Sequence, residues 1–177
     1  MSDTHTVVVG VDGSPGSSAA LEFALEEASR RGAELRVITV AHLPTFWGQV
    51  GGMGGYAIMS TLPTQDEIVA DVLVAARQMV DGVVAEHAAT AAGVTIIVDA
   101  VSGIAGDVLV EAARDADVLV VGHRGRGGVT SVLLGSVGLH SVLHATCPVT
   151  IVRPSAPVSP GDLAALAAAG KPELVPQ

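Results

Sequence analysis

A chain of 177 residues, 49% apolar and 15% charged, is long enough for one domain with a short surplus and lies far from disordered composition. Its formal charge of −9 argues against nucleic acid as a general partner, because phosphate backbones are held by an excess of Lys and Arg. A single small anion is still accommodated by a local set of oriented amides and a cation.

The mean hydropathy of +0.54 raises the question of a membrane. The most apolar region, Val129 to Val152, is interrupted by Gly135, Gly138, His140, His144 and Pro148. A bilayer span needs about 20 clean apolar residues, so no membrane partner is expected. The opening MSDTHTVVVGVDGS has no basic region ahead of an apolar one, and no secretory signal is expected from it. Cys147 is the single cysteine, which excludes an internal disulfide and a Cys-rich zinc site. Both features point to the cytoplasm. With one Trp, one Tyr and two Phe, the core must be built from Val, Leu, Ile and Ala, as in a parallel sheet between Ala-rich helices.

In chain order, apolar β-branched runs predict strands at Thr6–Val11, Leu35–Val40, Val94–Val101, Val118–Val121 and Val149–Val152, each buried on both faces. Helical spacing fills the intervals. Ser17–Arg31 puts Leu21, Ala24, Leu25 and Ala28 on one side and ends at Gly32 behind two arginines. Thr64–Ala92 reads as one long helix closed by Gly93, and Ile104–Ala113 and Ser136–His144 as shorter ones. Strand–helix alternation with short links implies right-handed crossovers and an open, mostly parallel α/β sheet covered on both faces. Ligands of such sheets sit beyond the carboxyl ends of the strands, which directs attention to the loops after strands one, two and four.

Two segments break the rhythm. The stretch 42–63 carries Gly48, Gly51, Gly52, Gly54 and Gly55 with Trp47 and Tyr56, and a loop of this length is a candidate lid or a mobile segment. From Pro154 onward, prolines precede a short run, Asp162–Ala169, which reads as a linker with a marginal helix in preference to a small docking element. The expected division is a domain over 1–155 and a Pro/Ala-rich tail over 156–177.

The segment VLVVGHRGRGGVTSVLLGSVG carries the chemistry. A buried strand runs into Gly122, Gly125, Gly127 and Gly128, and Gly135 and Ser136 follow where the next helix begins. Glycines let backbone N–H groups point inward, and a helix start adds free amides and the positive end of a dipole. The Ser136 hydroxyl can donate to a phosphate oxygen or cap its helix; Arg124 and Arg126 can supply charge or face solvent. A Walker A run is absent, and the first loop, Gly10-Val-Asp-Gly-Ser-Pro-Gly16, has the wrong interval for a dinucleotide fingerprint. Asp12 reads equally as a loop cap or a ligand contact.

The Gly-x2-Gly-x9-Gly-Ser spacing of Gly122, Gly125, Gly135 and Ser136 resembles the ATP-binding signature of the universal stress protein family. VVVGVDGSPGSSAAL, ARDADVLVVGHRGRGG and HATCPVTIVRP look like its other landmarks, so the resemblance spans about residues 4–154. It implies a five-stranded sheet of order 3-2-1-4-5 of the adenine nucleotide alpha hydrolase-like kind, and a homodimer formed through the last strand. By similarity Asp12, Gly13 and Ser14 meet the adenosine and Val40 lies against adenine. Gly122, His123, Arg124, Gly125, Arg126 and Gly127 wrap ribose and phosphates, and Gly135, Ser136 and Val137 close over the phosphate tail. Gly103 is carried over too, although this chain reads Gly103-Ile104-Ala105 where the family often has Gly-x-Pro. Magnesium often accompanies the nucleotide in such proteins.

His140 and His144 stand four apart on a helix, as metal-binding pairs do, yet no HExxH pattern accompanies them and late-helix histidines suit the dipole. Cys147 before Pro148 resembles a packed small hydrophobe. No nucleophile–base pair is visible. The reading is an ATP-binding, nucleotide-responsive stress regulator acting through dimerisation or an unidentified protein partner. The alternative is a slow ATP hydrolase or adenylating enzyme of the same fold.

Overall fold

The first helix begins where its own sequence supplies a cap. Ser14 sits in extended geometry, its hydroxyl accepts from the Ser17 amide at 3.2 Å, and Pro15 takes a position where a missing N–H costs nothing. Gly32, at φ 63°, ends the helix in the left-handed conformation that glycine tolerates best. The second long helix starts with a reciprocal capping box between Thr64 and Glu67. These signals set the frame of a computed structural model that describes residues 5–42, 63–125 and 134–154.

In chain order the elements are β1 (Thr6–Val11), α1 (Pro15–Arg31), β2 (Glu34–Ala41), α2 (Gln65–Glu86), α3 (Ala88–Ala91), β3 (Ile96–Ser102), α4 (Ala105–Ala112), β4 (Val118–Gly122), α5 (Ser136–His144) and β5 (Val149–Val152). The five strands form one parallel sheet in the order β3-β2-β1-β4-β5, as the resemblance implies. Trp47, Tyr56 and the glycines of the long insert, together with Asp162–Ala169 of the tail, lie outside the described residues. Among the described residues no helix is long and apolar enough to cross a membrane.

Alternation along the strands divides the core in two. Val7, Val9, Leu35, Val37, Val118 and Val120 face α1 and α2, where Leu21, Leu25, Val80 and Val83 meet them. Val8, Ile38, Leu119 and Val121 face the other way, against Leu109 of α4 and Val137 of α5. Fully burying a Leu or Val contributes about 1.5–3 kcal/mol, so the central strands dominate the stability.

Two expectations need correction. The edge strands are not buried on both faces: Ile97 and Val101 of β3 are exposed, and β5 is half-buried throughout. The reason is coverage, since α4 packs over β1 and β2 and does not reach the outer face of β3. The stretch from Thr64 to Ala92 is also not one helix. It breaks at His87, whose φ of −116° leaves the helical region, and α3 then packs on α1. Ala91 thereby joins the core cluster, so tertiary packing overrides continuous local propensity.

The carboxylate of Asp117 ties the start of β1 to the turn before β4. Its Oδ2 accepts the Thr6 amide at 2.6 Å, its Oδ1 lies 2.9 Å from Nδ1 of His5, and its own amide donates to the Thr6 carbonyl. The hydrogen bonds from His5, then from Thr6, hold its pKa below the usual carboxylate range. A depressed folded pKa contributes stability above the unfolded value and loses it as pH falls through the folded one. Asp117→Ala should therefore cost about 1–2 kcal/mol near neutrality in denaturant unfolding, and the difference should shrink in acid.

Candidate functional site

The carboxyl ends of β1, β2 and β4 open into one cleft of about 880 Å3. One end of it is shaped largely by backbone. Gly122 ends β4 so close to the first turn of α1 that a Cβ on it would lie 2.6 Å from the Gly16 carbonyl carbon. A Cβ on Gly16 would in turn meet the Arg124 carbonyl oxygen at 2.6 Å. Only side-chain-free residues permit this approach. Ser14 adds a hydroxyl donating to the same Arg124 carbonyl at 3.4 Å. At Gly125 a Cβ would collide with Oδ2 of Asp12 at 2.5 Å, so the Asp12 carboxylate lies directly against the glycine loop. The other carboxylate oxygen accepts the Ser14 amide at 3.0 Å. Gly13, at φ 81°, makes the turn between them.

The start of α5 faces the same space. Gly135 takes the cap position, donating its amide to the His123 carbonyl at 2.8 Å, and offers no side chain to the helix start. The first amides of an α-helix have no partner within it, so those of Ser136, Val137 and Gly138 present N–H donors and the positive end of the helix dipole to the cleft. Arg124 lines the cleft beside them.

Of the residues singled out from sequence, Asp12, Gly13, Val40, Gly122, Arg124 and Gly125 line the cleft, as do Gly135, Ser136 and Val137. Ser14 is buried as the cap of α1, one layer behind the wall. Gly103 lies at the end of β3, at φ 153°, and it is Ala105 that reaches the cleft. Arg126 and Gly127 lie outside the described residues. His123 serves through its backbone: its amide donates to the Val152 carbonyl at 2.8 Å while its carbonyl receives Gly135. Burial, then the positive charges of Arg124 and Arg153, push its imidazole below the ordinary histidine pKa. The ring is therefore neutral near pH 7 and adds no charge to the cleft.

Sequence reasoning missed the apolar wall opposite. Ile68, Val72, Ala75 and Met79 of α2 line it, with Ile38, Thr39 and Leu109 below. Their spacing of four, three and four is the helical stripe itself. What hid its role is that a core stripe and a cleft wall look alike until the sheet end is located. An apolar slot joined to an anion site suits a ligand with a flat apolar body and a charged tail. Among the described residues no group of three His, Cys, Asp or Glu side chains is placed to hold a metal ion.

Residues 4–153 match the model of a family described as the universal stress protein family. A universal stress protein of Mycobacterium tuberculosis (strain H37Rv) is 35% identical over 150 residues, covering 84% of this chain and 48% of its own length. The chain thus spans about half the length of the curated relatives it matches. Among solved structures, the universal stress protein UspA from Lactobacillus plantarum is similar at a TM-score of 0.67 and 26% identity, over 84% of this chain and 97% of that one. A universal stress protein solved in complex with cAMP matches at a TM-score of 0.55 and 26% identity, over 86% and 98%.

The backbone contact at Gly122 is rigid on both sides. Gly122→Ala should destabilise the protein by about 1–3 kcal/mol, as overpacking does. Gly125→Ala meets only the movable end of Asp12 and should cost clearly less. Paired chemical denaturation curves check this order.

Proposed function

The chain belongs to the universal stress protein family, and on that premise we propose that its cleft binds ATP, with magnesium entering on the phosphates, and that occupancy regulates association with other proteins. The observation that supports this best is the meeting of two unlike surfaces. The uncapped start of α5, with Arg124, faces the same space as the apolar side chains of α2 and the end of β2. The first suits a polyphosphate and the second a heteroaromatic base.

In this reading Val40 and the α2 stripe take the adenine, and Asp12 and Gly13 meet the ribose. Gly122, Gly125, Arg124, Gly135, Ser136 and Val137 hold the phosphates, with Arg126 and Gly127 completing the loop. Ser14, His123 and Gly103 act from behind, shaping the loops. The protein is a cytoplasmic homodimer in which the exposed edge of β5 pairs with its copy. Val142 and Leu143 are exposed on α5, which packs on β4 and β5, and they widen that interface. His123 connects cleft and edge, because its backbone bonds both the end of β5 and the cap of α5. Binding at α5 therefore has a short mechanical route to β5. Residues 1–155 act as the binding domain, with 156–177 as an appended tail.

Ser136→Asp separates binding from folding. Ser136 is exposed at the first position of α5, where a carboxylate favours the helix dipole. The variant should melt within a few degrees of the parent while its affinity for ATP falls at least about tenfold, a loss of about 1.4 kcal/mol. Calorimetric titration with ATP, ADP and cAMP, each with magnesium, checks it. Undiminished ATP binding by the variant would sink the assignment of α5, and preference for cAMP would redirect the ligand.

A further inference from the structure

The wall of the cleft formed by α4 and α5 is held together by a contact outside the glycine set. Ala105 and Leu109 of α4 and Ser136, Val137 and Leu139 of α5 all line the cleft. Between the two helices lies the ring of His140. A Cβ on Gly106 would fall 2.7 Å from ring atoms of His140, so the imidazole rests directly on the backbone of α4. Its Nε2 is 3.0 Å from Oδ1 of Asp107, in the first turn of α4. The ring also stacks on His144, with centroids 4.3 Å apart and planes 22° from parallel. The Nδ1 of His144 is 2.9 Å from the His140 carbonyl, to which its N–H donates.

We infer that His140 is a positioning residue of the cleft, tying the second turn of α5 to the first turn of α4 through Gly106 and Asp107 and thereby setting how the α5 amides meet an anion. The inference rests on the nucleotide reading of the same cleft.

Two explanations of a role for His140 predict opposite signs at Asp107. If the ring acted only through space on the bound phosphates, removing the nearby carboxylate would tighten binding. If it acts through the tie, the same change loosens binding. The test is calorimetric titration of ATP with magnesium for the wild type, His140→Ala, His140→Gln and Asp107→Asn. Melting temperatures confirm that each variant is folded. The tie predicts binding about three- to tenfold weaker in His140→Ala and Asp107→Asn. His140→Gln, which keeps a hydrogen bond, should recover most of that loss. Wild-type affinity in His140→Ala, or tighter binding by Asp107→Asn, overturns the inference. Absence of ATP binding in the wild type overturns the nucleotide reading and this role with it. The tie itself is then read separately, from the NMR signals of the His140 ring with and without Asp107→Asn.

Discussion

Where β4 ends, its backbone presses against the first turn of α1 with no side chain between them. Gly122 and Gly16 are each other's neighbours at a distance that a Cβ on either would close to 2.6 Å of main-chain atoms. This contact brings the carbonyl of Arg124 under the cap residue Ser14 and sets Gly125 against Asp12. It also directs His123 toward both Val152 and Gly135. The loop after β4 is thus pinned at its root to three elements. Without that pinning, the start of α5 would have no defined relation to the ends of β1 and β2.

The pinning explains why much of the polarity at one end of the cleft comes from backbone. The donors are amides whose direction is set by helix and loop geometry, and such groups need no reorganisation when an anion arrives. The one histidine within the loop is kept neutral by burial and by neighbouring arginines, so charge comes from Arg124. A chain with a formal charge of −9 can in this way present a local anion site. The apolar half of the cleft costs the fold little, because Ile68, Val72 and Met79 extend the stripe by which α2 already covers β2 and β3.

Much of this was legible in the residues. β1, β5 and α5 have the bounds expected from their runs, because turn residues such as Gly135 and Pro148 delimit them sharply. The strand order came from the resemblance to the universal stress protein family, carried in part by the spacing of Gly122, Gly125, Gly135 and Ser136, and the glycine loop was placed by the buried strand that precedes it. The edge exposure of β3 was not legible, since Ile97 and Val101 are the same residue types that fill the buried positions of β2. Only the reach of α4 decides which run is covered. The break at His87 was hidden for a similar reason: nothing local forbids a helix there, and docking of α3 on α1 decides it. The stacking of His140 on His144 and the seat on Gly106 depend on a distance between two helices that no single-chain pattern encodes.

The account stands on main-chain amides at the start of α5 receiving a phosphate. Amide chemical-shift mapping of the 15N-labelled protein during addition of ATP and magnesium observes those groups directly. The largest shifts should fall on Ser136, Val137 and Gly138, accompanied by Gly122 and Gly125, with the outer face of β3 silent. Shifts clustered elsewhere, or none at saturating ATP, would contradict it.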